Sequence, residues 1–140
     1  MTNTTTLQIT ETDRERLENL IDSISVRGDR IDLGYARRLQ DEIAHADVIP
    51  PEEIDGDVVT MRSQVRFRDL DTGEESVYTI VFPSEANIDE GKISILAPLA
   101  ASLLGYKQGD TVRFEAPSRV RQLQILELIY QPESSGHFHL

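Results

Sequence analysis

Apolar residues recur at helical spacing in two stretches near the start of the chain and at strand spacing through most of the rest. Leu17, Leu20, Ile21 and Ile24 lie one helical face apart, which predicts a first amphipathic helix from about Asp13 to Ile24. Thr12 and Glu15 stand in a capping-box arrangement at its start. A second stripe, Ala36, Leu39, Ile43 and Ala46, predicts a helix from Leu33 to Ala46. The break between them, Ser25 to Arg30, is short, so the two helices are expected to pack back on each other as an antiparallel hairpin on the order of 20 Å long. Residues 1–9 are expected to be disordered or loosely attached, and residues 10–49 to make the hairpin.

Ile49-Pro50-Pro51 ends the helical part, because a residue before proline is pushed out of the α region. The pattern then changes to strands: Val58 to Met61, Gln64 to Leu70 and Ser76 to Phe82, with Asp71-Thr72-Gly73 turning the last two into a hairpin. Pro83 to Gly91 reads as a loop and Ile93 to Leu96 as a short strand. Pro98 suits the first turn of a helix, where its missing N–H has no partner to lose. Ala100 to Leu104 continue that helix, and Gly105 is placed to end it in the left-handed conformation. Gly109-Asp110 turns into a strand, Thr111 to Phe114, and a last strand, Gln122 to Tyr130, carries Leu123, Ile125, Leu126, Leu128 and Tyr130. The fold class is therefore α+β, a short N-terminal helical hairpin followed over residues 50–140 by a small antiparallel or mixed sheet with one short helix.

Charge narrows the functional classes. With 14 basic and 25 acidic residues the net charge is -11, and no stretch forms the basic footprint on which a stand-alone nucleic-acid binder depends. Any work near nucleic acid is expected to go through another protein. The chain has no cysteine, which removes disulfides, thiolate zinc sites and cysteine nucleophiles together. The polar start MTNTTTLQIT and the lack of any long apolar run predict neither a signal peptide nor a membrane span, and so a cytoplasmic protein.

Candidate chemistry is sparse. None of the common nucleotide-binding, metalloprotease, hydrolase or calcium-loop motifs occurs, and no cofactor, metal or catalytic residue is assigned. His45 falls near the end of the second helix, where a histidine is favoured by the helix dipole, and His137 and His139 stand in a polar tail. Asp29 and Asp32 lie in the turn of the hairpin. Paired carboxylates at the end of an arm can hold Mg²⁺. The simpler reading makes Asp29 a turn residue and Asp32 a helix cap, with Arg27 and Arg30 beside them offsetting their charge.

The stretch EANIDEGKISILAPLAASLLGYKQGDTVRFEAP, followed by LQILELIY and preceded by a hairpin of helices, resembles the bacterial GreA and GreB transcript-cleavage factor family. DVVTMRSQVRFRDL, YQPE and the short arm resemble its Rnk branch, named for regulation of nucleoside diphosphate kinase. The resemblance covers about residues 8–136 and implies an FKBP-like sheet domain. It also implies that this domain binds RNA polymerase at the rim of the secondary channel while the arm points inward. Leu96, Ala97 and Pro98 are the implied polymerase contacts, with Ala97 standing where the family carries serine; Asp29, Arg30 and Asp32 are the implied tip facing the channel. The acidic tip motif with which cleavage factors help hold a catalytic Mg²⁺ does not occur in RGDRIDLG, and the arm is shorter than their coiled coils. The expectation is a non-enzymatic transcription regulator that competes with cleavage factors without stimulating cleavage. A genuine cleavage factor using Asp29 and Asp32, or an adaptor influencing nucleoside diphosphate kinase, is the alternative. An FKBP-like fold also suggests prolyl isomerase activity, but the sequence, with no Trp, four Phe and four Tyr, shows no aromatic-rich pocket.

Overall fold

The computed structural model describes residues 7–27, 30–115 and 119–137. The chain begins with a three-residue strand, β1 (Gln8–Thr10), that runs straight into helix α1 (Glu11–Arg27). Helix α2 (Arg30–Ala44) returns to a second short strand, β2 (Asp47–Ile49), which pairs in parallel with β1. The two feet of the hairpin are thus tied to each other by backbone hydrogen bonds. Gln8 and Ile9, expected to be loose, belong to this ribbon, and Ile9 is buried. The helix start also differs from expectation: the Asp13 N–H donates to Thr10 Oγ1 at 3.0 Å, so Thr10 rather than Thr12 is the cap. A run of polar residues offers several such pairings, and the strand ahead of the helix decides which is used.

At 17 and 15 residues the helices are about 25 and 22 Å long, a turn more for α1 than the apolar spacing suggested. Leu17, Ile21 and Ile24 of α1 and Ala36, Leu39 and Ile43 of α2 form the buried stripe. Helix α2 ends in tightened bonds, His45 N–H to the Glu42 carbonyl and Ala46 N–H to that of Ile43. The exposed His45 ring lies 2.7 Å from the Asp41 carbonyl, the surface role expected of it.

The body is a five-stranded sheet made of β3 (Gln64–Asp69), β4 (Glu75–Val81), β5 (Lys92–Ser94), β6 (Thr111–Glu115) and β7 (Val120–Tyr130). Its order is β5-β4-β3-β7-β6. All neighbours are antiparallel except β5, which runs parallel to β4, so the sheet is mixed rather than purely antiparallel. Two short 3-10 turns, Pro83–Glu85 and Ile88–Glu90, carry the chain back for that parallel pairing.

Val58 to Met61, expected as a strand, is not one; it holds a single bridge, Val58 to Lys107. These residues are fully buried, and their amides find partners outside any ladder. Val59 N–H bonds the Tyr106 carbonyl, Thr60 N–H the Ser63 hydroxyl, and Met61 N–H the Asp13 carboxylate. A short apolar run says that a segment is buried, not which partner takes its backbone. In β7 the alternation slips at Leu126 and Ile129, where the register to β3 jumps by one residue. Leu123, Ile125 and Leu128 therefore all face the core side despite their uneven spacing.

The short helix α3 (Pro98–Leu103) lies between β5 and β6 in the chain and buries Ala100, Ala101 and Leu103. Gly105 follows it at φ 87°. A Cβ there would lie 3.1 Å from both the Gln8 carbonyl oxygen and the Leu7 side chain, so glycine is required by conformation and by space. One apolar cluster runs from Ile9, Leu17, Leu39 and Ile43 through Met61 and Ile80 to Leu103 and Ile125.

Candidate functional site

The turn that leads into α3 is built by backbone bonds before any side chain matters. Ile95 N–H donates to the Val81 carbonyl at 2.8 Å, and Ala97 N–H to the Ser94 carbonyl at 2.9 Å. Leu96 N–H reaches the Ser94 hydroxyl at 3.1 Å. Ala97 is extended (φ -65°, ψ 134°), as a residue before proline must be, and Pro98 opens the helix. Ala97 has no side chain able to cap α3. Leu96, Ala97 and Pro98 are half-buried, so this corner is ordered from behind while part of it faces solvent.

The next residue, Leu99, lines a hollow of about 220 Å³ on the α3 side of the sheet. Phe67 of β3, Tyr78 of β4, Phe114 of β6 and Leu123 of β7 form the apolar part. The Phe67 and Tyr78 rings stack at 5.9 Å between centroids. Asp69 and Arg121 stand at its polar side, with Arg121 Nε 2.7 Å from Asp69 Oδ2. Burial pushes the Asp69 carboxyl up, but the Asp71 and Thr72 amides and the Arg121 guanidinium outweigh it and hold it below the usual carboxylate range. The sequence reading missed this aromatic hollow. The signal was present: Phe67 and Asp69, Ser76 and Tyr78, and Arg121 and Leu123 are period-two pairs on single faces of their strands.

The hairpin tip gives less. Asp29 lies outside the described residues; Arg30 and Asp32 belong to the first turn of α2, and their side chains lie outside them too. Among the described residues no group of three or more His, Asp or Glu side chains could hold a metal ion, and no helix is long and apolar enough to cross a membrane.

Where the arm meets the body, charged groups are unusually close-set. Asp13 is fully buried; its Oδ2 accepts the Met61 N–H at 3.0 Å and its Oδ1 meets Arg16. Burial raises the Asp13 carboxyl, against the Met61 amide and Arg16. Arg16 and Arg62 each lie 5.2 Å from the Phe82 ring centroid, and Arg62 forks onto Glu85 at 3.2 and 2.7 Å. That Arg62 pairing holds the Glu85 carboxyl below its ordinary value. A groove of about 740 Å³ opens here, lined by Arg16, Asn19 and Leu20 of α1 and by Arg62, Phe82 and Glu85 of the body. On α2, Glu42 lines a narrow crevice with Ile9, Leu104 and Gly105, and burial raises its carboxyl to about 7 against the pull of Arg38.

Comparison with known proteins agrees with both parts of the chain. Residues 54–130 match the family model "Transcription elongation factor, GreA/GreB, C-term", and residues 6–49 match "Rnk N-terminus". A regulator of nucleoside diphosphate kinase from Escherichia coli strain K12 is 39% identical over 136 residues, covering 96% of this chain and 97% of that protein. Transcription elongation factor GreA from Hyphomonas neptunium is 35% identical over 98 residues, 70% of this chain but 62% of its own length. Among solved structures, a prokaryotic GreA/GreB transcription elongation factor from Nitrosomonas europaea superposes with a TM-score of 0.71 at 39% identity. It covers 89% of this chain and 99% of its own.

Proposed function

Because the chain belongs to the GreA/GreB transcription elongation factor family, with the Rnk type of N-terminus, we propose that it docks on RNA polymerase at the secondary-channel rim. Its sheet body makes the contact through Leu96, Ala97 and Pro98, and its arm enters the channel and competes with cleavage factors without stimulating cleavage. The observation that carries this reading is the pairing of a family-type body with an arm of only 17 and 15 helical residues. At about 1.5 Å per residue such an arm spans some 25 Å, and its turn, RGDRIDLG, carries no acidic cleavage motif.

The corner suits a docking element. It is held rigidly by backbone bonds and is partly exposed, and it sits beside a hollow of aromatic rings with a polar edge. An interface core of apolar anchors beside polar groups is the usual form of an energetic hot spot. The strongly acidic balance fits a factor that reaches nucleic acid only through the polymerase.

Co-purification with core polymerase, competed by GreA, tests the reading; no retention at micromolar protein sinks it. A backtracked-complex assay separates it from the rival in which Asp29 and Asp32 hold a catalytic metal. Shortening of RNA that disappears in Asp29→Ala favours that rival. The name of the Escherichia coli relative favours a second reading, an influence on nucleoside diphosphate kinase. Its test is a direct binding titration of this chain against that kinase.

A further inference from the structure

The apolar cluster joins the arm to the body, but apolar contact is non-directional and by itself leaves the pitch of a helix pair loosely set. One backbone bond, Gln8 N–H to the Gly105 carbonyl at 3.3 Å, ties the foot of the arm to the body, and a side-chain bond from the arm reaches a single loop, residues 60–63. From the arm, Asp13 Oδ2 accepts the Met61 N–H at 3.0 Å, 48 residues away in sequence. From the far end of the chain, Glu133 Oε1 accepts the Thr60 hydroxyl at 2.7 Å. Ser63 Oγ closes the loop internally, 2.9 Å from both the Thr60 N–H and the Thr60 hydroxyl. Arg62 completes it with φ 65°, a left-handed conformation in a residue that is not glycine. Such a backbone persists where its surroundings over-determine it. Here the Arg62 guanidinium is fixed by Glu85 and by the Phe82 ring, whose other cation, Arg16, is the ion-pair partner of Asp13.

We infer that Asp13 is a positioning residue: acting through the 60–63 loop, it fixes the pitch of the helical arm against the sheet body, so that docking of the body dictates where the arm points. This rests on the docking function proposed above. Burial raises both the Asp13 and the Glu133 carboxyls, so desolvation works against the charged form of each. An apolar pair would avoid that cost. The geometry of the buried Asp13 carboxylate, which accepts a backbone N–H 48 residues away, is what the inference rests on.

The absence of cysteine allows two labels to be added cleanly, at exposed Asp22 on α1 and exposed Gln122 on β7. Electron-spin distance measurement on the full chain is expected to give a narrow distribution. Asp13→Ala should widen it about twofold at a temperature well below unfolding. Asp13→Asn, which keeps an oxygen for the Met61 N–H, should leave it narrow. A width unchanged in Asp13→Ala overturns the inference. Should that variant fail to fold, Thr60→Val frees the loop from Glu133 and from the Ser63 hydroxyl, and an unchanged width there overturns the part assigned to the loop. On polymerase, Asp13→Ala should bind within about threefold of the parent yet lose about tenfold in blocking GreA-stimulated cleavage of backtracked RNA. Parallel loss of both assigns Asp13 a merely structural role. The distance experiment needs no polymerase, so its outcome stands even where polymerase docking fails.

Discussion

The docking corner and the root of the arm hold their shapes in different ways. At the corner, Pro98 starts a helix and Gly105 ends it, and the bonds of Ile95, Leu96 and Ala97 reach no further than the neighbouring strand β4. At the arm root, the decisive bonds join residues 48 and 73 positions apart: Met61 to Asp13, and Thr60 to Glu133. The corner presents a surface that can be changed one residue at a time. The root is a shared junction, where a change at one element alters the relation between two others. Docking and arm placement should therefore be separable by mutation.

The sharpest way to break that separation is Gly105→Ala, because Gly105 belongs to both regions. It ends α3, and its carbonyl accepts the Gln8 N–H at 3.3 Å. A left-handed alanine whose Cβ lies 3.1 Å from Gln8 and Leu7 should destabilise the chain by about 3 kcal/mol, combining backbone strain and overpacking. Chemical denaturation measures it; a loss below about 1 kcal/mol would mean that β1 moves freely and the two regions are not tied there.

Glu42 sharpens the picture of the root. Its folded-state carboxyl titrates near 7 against an ordinary 4.5, so the native state holds the proton more tightly than the unfolded chain. Its contribution is fully present below 4.5, is lost as pH rises through about 7, and is absent above that. Glu42→Gln should remove this slope and stabilise the chain at pH 8 by on the order of 2 kcal/mol, with little change at pH 4. The same stability difference at both pH values would contradict the assignment. Tyr106 lies close enough that its hydroxyl is raised first by burial and then by the Glu42 charge.

Two substitutions probe the corner. Pro98→Asn should weaken polymerase binding about tenfold, or some 1.4 kcal/mol, while the melting temperature moves little. Unfolding of that variant would show Pro98 to be structural. Ala97→Ser supplies the missing cap to α3 and should stabilise the body by about 0.5–1 kcal/mol, read by thermal denaturation.

Sequence legibility follows the same division. The helix-starting proline, the left-handed Gly105 and the Asp71-Thr72-Gly73 turn were readable because each acts through its own backbone. The parallel placement of β5 was not, since a three-residue strand carries no signal for its direction. Val58 to Met61 read as a strand because burial and strand pairing leave the same apolar run. Thr10 was passed over as the cap because nothing local says that Gln8 to Thr10 pair with a strand 39 residues on. At the corner, the turn through Leu96, Ala97 and Pro98 into α3 was legible because proline sets it locally. For the aromatic hollow beside them, period two shows which residues share a strand face, but Phe67, Tyr78, Phe114 and Leu123 come from four strands whose order only the fold supplies.

The docking proposed for the corner and the competition proposed for the arm depend on whether this chain occupies the polymerase site that GreA uses. The direct measurement is displacement of labelled GreA from core polymerase by increasing amounts of this protein. Complete displacement at micromolar concentrations, with no shortening of backtracked RNA, is the predicted result. GreA remaining bound at a large excess of this chain would contradict it.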